Sequence, residues 1–262
     1  MPKFAANLSM MFNEVGFLDR FAAAAGAGFQ GVEYLFPYEH PVEEIAARLR
    51  EHKLENVLFN LPPGDWAAGD RGTTCVPGRE EEFRAGVAKA LSYAPRLGVR
   101  RVHAMAGLAP EGADPAALEA TYVSNLRYAA DQLAPHGITL VIEPINTRDI
   151  PRFYLNTQAQ SFAACAAAGR PNIKMQLDLY HMQIVEGDLE MKLRKYAPQC
   201  GHIQIAGVPK RQEPDAGEVN YAHLFQVIDE IGYDGWIGCE YKPAGKTLDG
   251  LGWWKKASGR TS

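Results

Sequence analysis

The sequence predicts an α/β chain folded as a single (β/α)8 TIM barrel over residues 1–262. Short apolar runs suited to strands recur eight times, and segments with apolar residues at helical spacing lie between them. No linker or low-complexity stretch interrupts the alternation, and 262 residues suit one such barrel, which commonly takes ~250. A doubly wound open sheet is the alternative. The count of eight and the lack of a glycine-rich phosphate loop after the first strand weigh against it.

The expected strands are KFAANLS (3–9), GVEYLF (31–36), ENVLFNL (55–61), RRVHAMAG (100–107), TLVIEPIN (139–146), IKMQLDLY (173–180), HIQIAGV (202–208) and WIGCEYKP (236–243). Helical spacing marks VEEIAARLREHK (42–53), where Ile45, Ala46 and Leu49 form one stripe. It returns in residues 81–98, 117–137, 157–169, 189–197 and 221–232. Helix ends are expected at Gly26, Gly98, Gly137, Gly169 and Gly232, because a left-handed cap favours glycine.

Side chains alternate across a strand, so each run divides by parity. In the fifth, Leu140 and Ile142 oppose Thr139, Val141 and Glu143; in the sixth, Met175 and Leu177 oppose Lys174, Gln176 and Asp178. In the seventh, Ile203 and Ile205 oppose His202, Gln204 and Ala206; in the eighth, Ile237, Cys239 and Tyr241 oppose Gly238, Glu240 and Lys242. Asn7, Glu33, Asn60 and His103 likewise fall opposite the more apolar set. Apolar faces turned outward against helices leave the polar faces lining the barrel. Polar residues near the strand C-termini then meet at the mouth, where barrel enzymes hold their sites.

Composition narrows the partners. Apolar content of 47% supports a sizeable core, and a net charge of −4 with pI ≈ 6.0 and no basic run gives no reason to expect nucleic acid. Cys75, Cys165, Cys200 and Cys239 are scattered without a CxxC pair, so reduced thiols in a cytoplasmic protein are expected rather than zinc or disulfides. The N-terminal MPKFAANLSMMF lacks the apolar core and small-residue cleavage site of a signal peptide, and no stretch approaches ~18 apolar residues, so no membrane span is expected. The aromatic helical surfaces allow a homo-dimer or homo-tetramer without demanding either.

Glu143, Asp178, Gln204 and Glu240 end four successive strands and bring three carboxylates and one amide oxygen together. A lone acid at a strand end is more often a helix cap, and a lone buried glutamine a satisfied core group; four of matching parity are harder to assign that way. Like charges so placed repel in a low-dielectric cavity, and a divalent cation removes the problem. All-oxygen ligation favours Mg2+ or Mn2+ over zinc. Strands five and eight stand apart around the ring, so Glu143 and Glu240 approach a small substrate from two sides, as a base and an acid must. His181 in DLYH is placed to donate to a substrate oxygen, and His103 shares the inward face. Lys242 suits either a substrate carboxylate or the solvated rim, and Arg211 and Arg148 are loop cations at the same mouth. Glu33 faces either the ligand or a neighbouring strand. The Met10–Met11–Phe12 run is a candidate pocket wall, and the loop of residues 60–72, with Trp66, a candidate lid.

EPINTRDIP (143–151), DLYHMQIVEGDL (178–189), HIQIAGVPKRQEP (202–214), GEVNY (217–221) and IGCEYKP (237–243) resemble the hydroxypyruvate isomerase family of xylose isomerase-like barrels. VEYLFPYEHP (32–41) and NLPPGDWAAGDRG (60–72) extend the likeness over nearly the whole chain. The resemblance implies metal ligands at Glu143, Asp178, Gln204 and Glu240, with Glu143 and Glu240 as the proton-transferring pair. It implies interconversion of hydroxypyruvate and tartronate semialdehyde, or alternatively of 2-oxo- and 3-oxo-tetronates. Gly207 stands where the family leads one to expect an acidic or amide residue, and Gln212 where it suggests histidine, which bears on substrate choice. A zinc phosphodiesterase of the endonuclease IV type would need more histidines at strand ends and a basic DNA-facing surface. A non-catalytic sugar-acid binder would not need the paired glutamates.

Overall fold

In the computed structural model, which describes residues 2–259, eight parallel strands close into a barrel in sequence order, with the first paired to the last. They are β1 (Lys3–Asn7), β2 (Gly31–Glu33), β3 (Glu55–Asn60), β4 (Arg101–His103), β5 (Thr139–Ile142), β6 (Ile173–Asp178), β7 (Cys200–Ile205) and β8 (Trp236–Cys239). The helices are α1 (Arg20–Ala27), α2 (Val42–Glu51), α3 (Glu80–Tyr93), α4 (Pro115–Leu133), α5 (Gln158–Ala168), α6 (Leu179–Val185), α7 (Leu189–Tyr196), α8 (Tyr221–Glu230) and α9 (Gly252–Ala257). Among the described residues no helix is long and apolar enough to cross a membrane.

Most expected elements are present, several of them shorter. Ladder pairing ends early at the mouth, so Glu143 and Glu240 are the first residues beyond β5 and β8. Pro144 has no N–H to prolong a ladder, which helps to stop β5 there. Leu179 and Tyr180, read above as the end of the sixth strand, instead open α6, because the Asp178 carboxylate accepts from the Tyr180 N–H at 2.7 Å as a helix cap. Gly98, Gly137, Gly169 and Gly232 have positive φ as expected; Gly26 lies inside α1, and Gly28 (φ 103°) is the actual cap.

Two apolar layers result. The larger lies between strands and helices and contains Leu140, Ile142, Met175, Leu177, Ile203, Ile205, Ile237 and Cys239, the outward parity set. The smaller joins Ala5, Val57, Leu58 and Val141 with Trp236. A bulge in the β2–β3 register lets the adjacent Val57 and Leu58 both join this cluster, while Asn56 bonds the Tyr34 hydroxyl at 2.7 Å. Trp236 has room because β2 carries Gly31, where any Cβ would press on the indole.

Candidate active site

At the C-terminal ends of the strands lies a cavity of ≈ 460 Å³, lined by residues including Glu143, Gln204, Glu240, His103, His181 and Arg211. Glu143 and Glu240 therefore share one cavity, as the strand parity requires. Asp178 is 1% exposed and reaches the same cluster: its free oxygen, one Glu143 oxygen and a His181 ring nitrogen lie within 4.8 Å of one another.

Burial dominates the electrostatics. Burial raises the Glu143 carboxyl well above the carboxylate range, and Glu240 and Asp178 add repulsion. Burial also raises Glu240, to about 8; Arg211 opposes the shift, while Asp178 and Glu33 reinforce it. Asp178 is raised by burial as well, against Arg211 and the Tyr180 N–H. Burial lowers His103 to about 3 with help from His202, and it lowers His181 well below the usual histidine range, assisted by Arg211 and His103. Both imidazoles are thus neutral. Asn146 donates to His181 Nδ1 from its side chain at 2.7 Å and from its backbone at 3.4 Å, which leaves the ring proton on Nε2. That proton faces Asp178 Oδ2 at 3.6 Å. His181 is in this tautomer a hydrogen-bond donor toward the cavity.

The donor set fits a divalent cation in part. Glu143 Oε1 and Asp178 Oδ2 are buried without any hydrogen-bond partner, which is costly unless something positive meets them. Gln204 Oε1 accepts from Gln176 Nε2 at 2.6 Å. Glu240 is turned toward Arg211, whose Nη2 lies 2.5 Å from its Oε2 and 3.7 Å from Asp178 Oδ2. The four residues expected as ligands thus surround one region, but the tight grouping joins Glu143 and Asp178 with His181 rather than with Glu240. Arg211 supplies positive charge between Glu240 and Asp178. Burial opposes its charge, yet Glu240, Asp178 and Glu143 hold its pKa above the ordinary arginine value.

His103 lines the cavity with Nε2 3.8 Å from Glu143 Oε2. Lys242, Arg148 and Lys210 stand on its exposed rim, joined by the half-buried Arg71. Of the Met10–Met11–Phe12 run only Met10 lines it; Met11 and Phe12 are buried in the outer core, where Phe12 packs edge-on to Phe29. Glu33 is a strand partner, not a cavity group, bonded to Asn7, His202 and Gln204. Gly207 and Gln212 pair with each other through a 2.8 Å backbone bond and are not among the residues that line the cavity. A Cβ at Gly207 would strike the carbonyl oxygens of Glu213 and Ala216, so no side chain fits. Trp66 lines the cavity and packs on Phe36 at 5.3 Å, with the Arg71 guanidinium 3.8 Å from its ring.

Sequence reasoning passed over the support beneath these groups. Asn146 also bonds Asp149 at 3.1 Å, and Asp149 accepts from the Tyr180 hydroxyl at 2.8 Å. Asn146 closes the TLVIEPIN run, which was a signal; Asp149 and Tyr180 meet only through the fold.

Residues 21–257 match the family model described as xylose isomerase-like TIM barrel, and the chain belongs to that family. It is 57% identical over 260 residues to a 2-oxo-tetronate isomerase of Cupriavidus necator, covering 99% of this chain and 100% of that protein. It is 50% identical over 253 residues to hydroxypyruvate isomerase of Escherichia coli, covering 97% and 98% respectively. A crystal structure titled AP endonuclease, family 2, from Brucella melitensis superposes with TM-score 0.96 at 54% identity, covering 98% of this chain and 99% of that one. By these relationships the protein is an isomerase.

Proposed function

We propose that the protein moves a carbonyl between neighbouring carbons of a small hydroxy-oxo acid, with 2-oxo-tetronate preferred and hydroxypyruvate as the second substrate. The observation that carries this is the placement of Glu143 and Glu240, both buried with raised pKa values, on one cavity rimmed by Arg71, Arg148, Lys210 and Lys242. Rim cations suit the substrate carboxylate. One glutamate takes the proton from the hydroxyl-bearing carbon and the other returns one to the adjacent carbon. The hydroxyl proton passes to the former carbonyl oxygen, so the carbonyl moves by one carbon with no net gain or loss of protons. Glu240, at about 8, exchanges its proton close to neutral pH. The His181 Nε2–H donates to a substrate oxygen and orients it.

Glu143, Asp178, Gln204 and Glu240 are the residues that would hold Mg2+ or Mn2+, which when bound supplies polarisation of the carbonyl and stabilisation of negative charge. The four-carbon preference rests on the resemblance to the 2-oxo-tetronate isomerase and on Asn60 and His103, polar lining groups available to a further hydroxyl. Hydroxypyruvate follows from the likeness to the E. coli enzyme. A nuclease reading has little to rest on. Among the described residues the one group of His, Cys, Asp and Glu close enough to share an ion is Glu143, Asp178 and His181, and the net charge is −4.

The test is a pair of rates, on 2-oxo-tetronate and on hydroxypyruvate, followed by NMR before and after chelation and with Mn2+ restored. Faster turnover of the four-carbon acid is expected, with solvent deuterium appearing at carbon. Turnover of neither acid would refute the proposal, and a complete absence of deuterium would replace proton transfer by a hydride shift.

A further inference from the structure

We infer that Glu33 is a positioning residue that decides which end of the Gln204 amide faces the cavity. The inference rests on the cation reading of the site given above. Glu33 ends β2, is 0% exposed and does not line the cavity. Its carboxylate is met by Asn7 Nδ2 at 3.0 Å, Gln204 Nε2 at 2.8 Å and His202 Nε2 at 2.7 Å.

An ionised carboxylate only accepts hydrogen bonds, whereas an amide has a donating end and an accepting end of nearly equal shape. Facing Glu33, Gln204 must present its NH2. The planar amide then turns Oε1 the opposite way, toward Gln176, which like Gln204 lines the cavity. Replace the carboxylate by any group that also donates, and the two amide orientations become competitive. Half of them would aim N–H groups at the place where a cation needs oxygen.

The barrel is shaped around this carboxylate. A Cβ at Gly238, on β8, would collide with both Glu33 oxygens, so this strand, separated from β2 by β1, leaves its side-chain position empty for it. Among the described residues no Lys or Arg pairs with Glu33, and its one close basic neighbour is the His202 ring. A filler for this layer need not be charged: Ala5, Leu58 and Val141 form an apolar cluster inside the same barrel. Burying a carboxylate costs more than burying another such side chain, so a chemical task accounts for it better than packing does.

The test compares wild type, Glu33→Gln, Gln204→Glu and the double variant by Mn2+ affinity, read from the EPR signal of free Mn2+, with thermal unfolding to confirm the fold. Glu33→Gln should lose affinity on the order of 10–100-fold, the usual effect of altering a group that orients a ligand. Gln204→Glu sets two carboxylates face to face and should bind poorly. The double variant restores an amide–carboxylate pair with reversed polarity and should recover Mn2+ binding, a rescue that loss of packing alone would not produce. Unchanged affinity in Glu33→Gln, or a double variant no better than Gln204→Glu, overturns the inference while the cation reading stands. No Mn2+ binding by wild type removes both.

Discussion

Among single residues, Glu240 and Arg211 separate chemistry from charge balance. Glu240→Gln keeps the size and loses the titrating group, so kcat should fall by a factor on the order of 10² or more, as for other acid–base groups. NMR of product formation checks this, and near-normal turnover would remove Glu240 from the reaction. Arg211 has an 18% exposed side chain, bonds Glu240, faces Asp178 and lies 5.0 Å from the Tyr180 ring. Arg211→Met would leave three buried carboxylates with no cation beside them. Removing one partner of a buried pair costs about 3 kcal/mol or more, and metal-free unfolding in urea should show a loss of that order. Mn2+ should offset much of it; an equal loss with and without Mn2+ would mean that Arg211 is not balancing the ligand charges.

The loops at the mouth do the work of elements. Residues 60–72 form a braced wall: Asp70 pairs with Arg79 at 2.6 Å, and the Gly72 N–H donates to the Pro63 carbonyl at 2.8 Å. Gly72 has φ +105°, and a Cβ there would collide with the Met105 carbonyl oxygen. Gly72→Ala should therefore cost on the order of 1–3 kcal/mol of backbone strain. Because Trp66 and Arg71 move with this loop, KM should rise more than kcat falls, and steady-state kinetics beside a melting curve would show it. Unchanged KM would make the loop a scaffold only. The loop after β7 is similarly tight. Gly217, with φ +142°, abuts the Val208 carbonyl, and Gly207 is walled in, which brings Arg211 back over Glu240. Gly207 and Gln212 thus have a part in folding the loop that carries Arg211.

For the whole molecule the buried acids tie stability to pH. Glu240 has a folded-state value of about 8, against ~4.3 for an unfolded glutamate. Between those values the native state binds more protons than the unfolded chain, so stability falls as pH rises through the window. Glu143 and Asp178, also raised, act in the same direction. The metal-free Tm should decline from about pH 5 to about pH 8. Cation binding requires ionised carboxylates, so the gain in Tm on adding Mn2+ should be larger at the alkaline end. A Tm that rises across this range in the absence of metal would show that the three acids are already ionised and paired.

Much of this architecture was legible in the chain because it depends on local periods. Alternation by two and spacing near 3.6 located all eight strands and most helices, and parity alone turned Glu143, Asp178, Gln204 and Glu240 inward. Parity does not specify depth. Glu33 and Gln204 both lie on the polar inward face near strand ends, yet one lines the cavity and the other braces it from outside the lining, a difference set by register and the bulge between β2 and β3. Nor does any local pattern bring Arg211 to Glu240, 29 residues away, or Asn146 to His181, 35 residues away. The sequence by itself determined which side chains face the barrel interior, since that follows from backbone geometry within each strand. Only the tertiary structure decided which of them meet, because contacts between strands and loops depend on how far each strand is shifted against its neighbours.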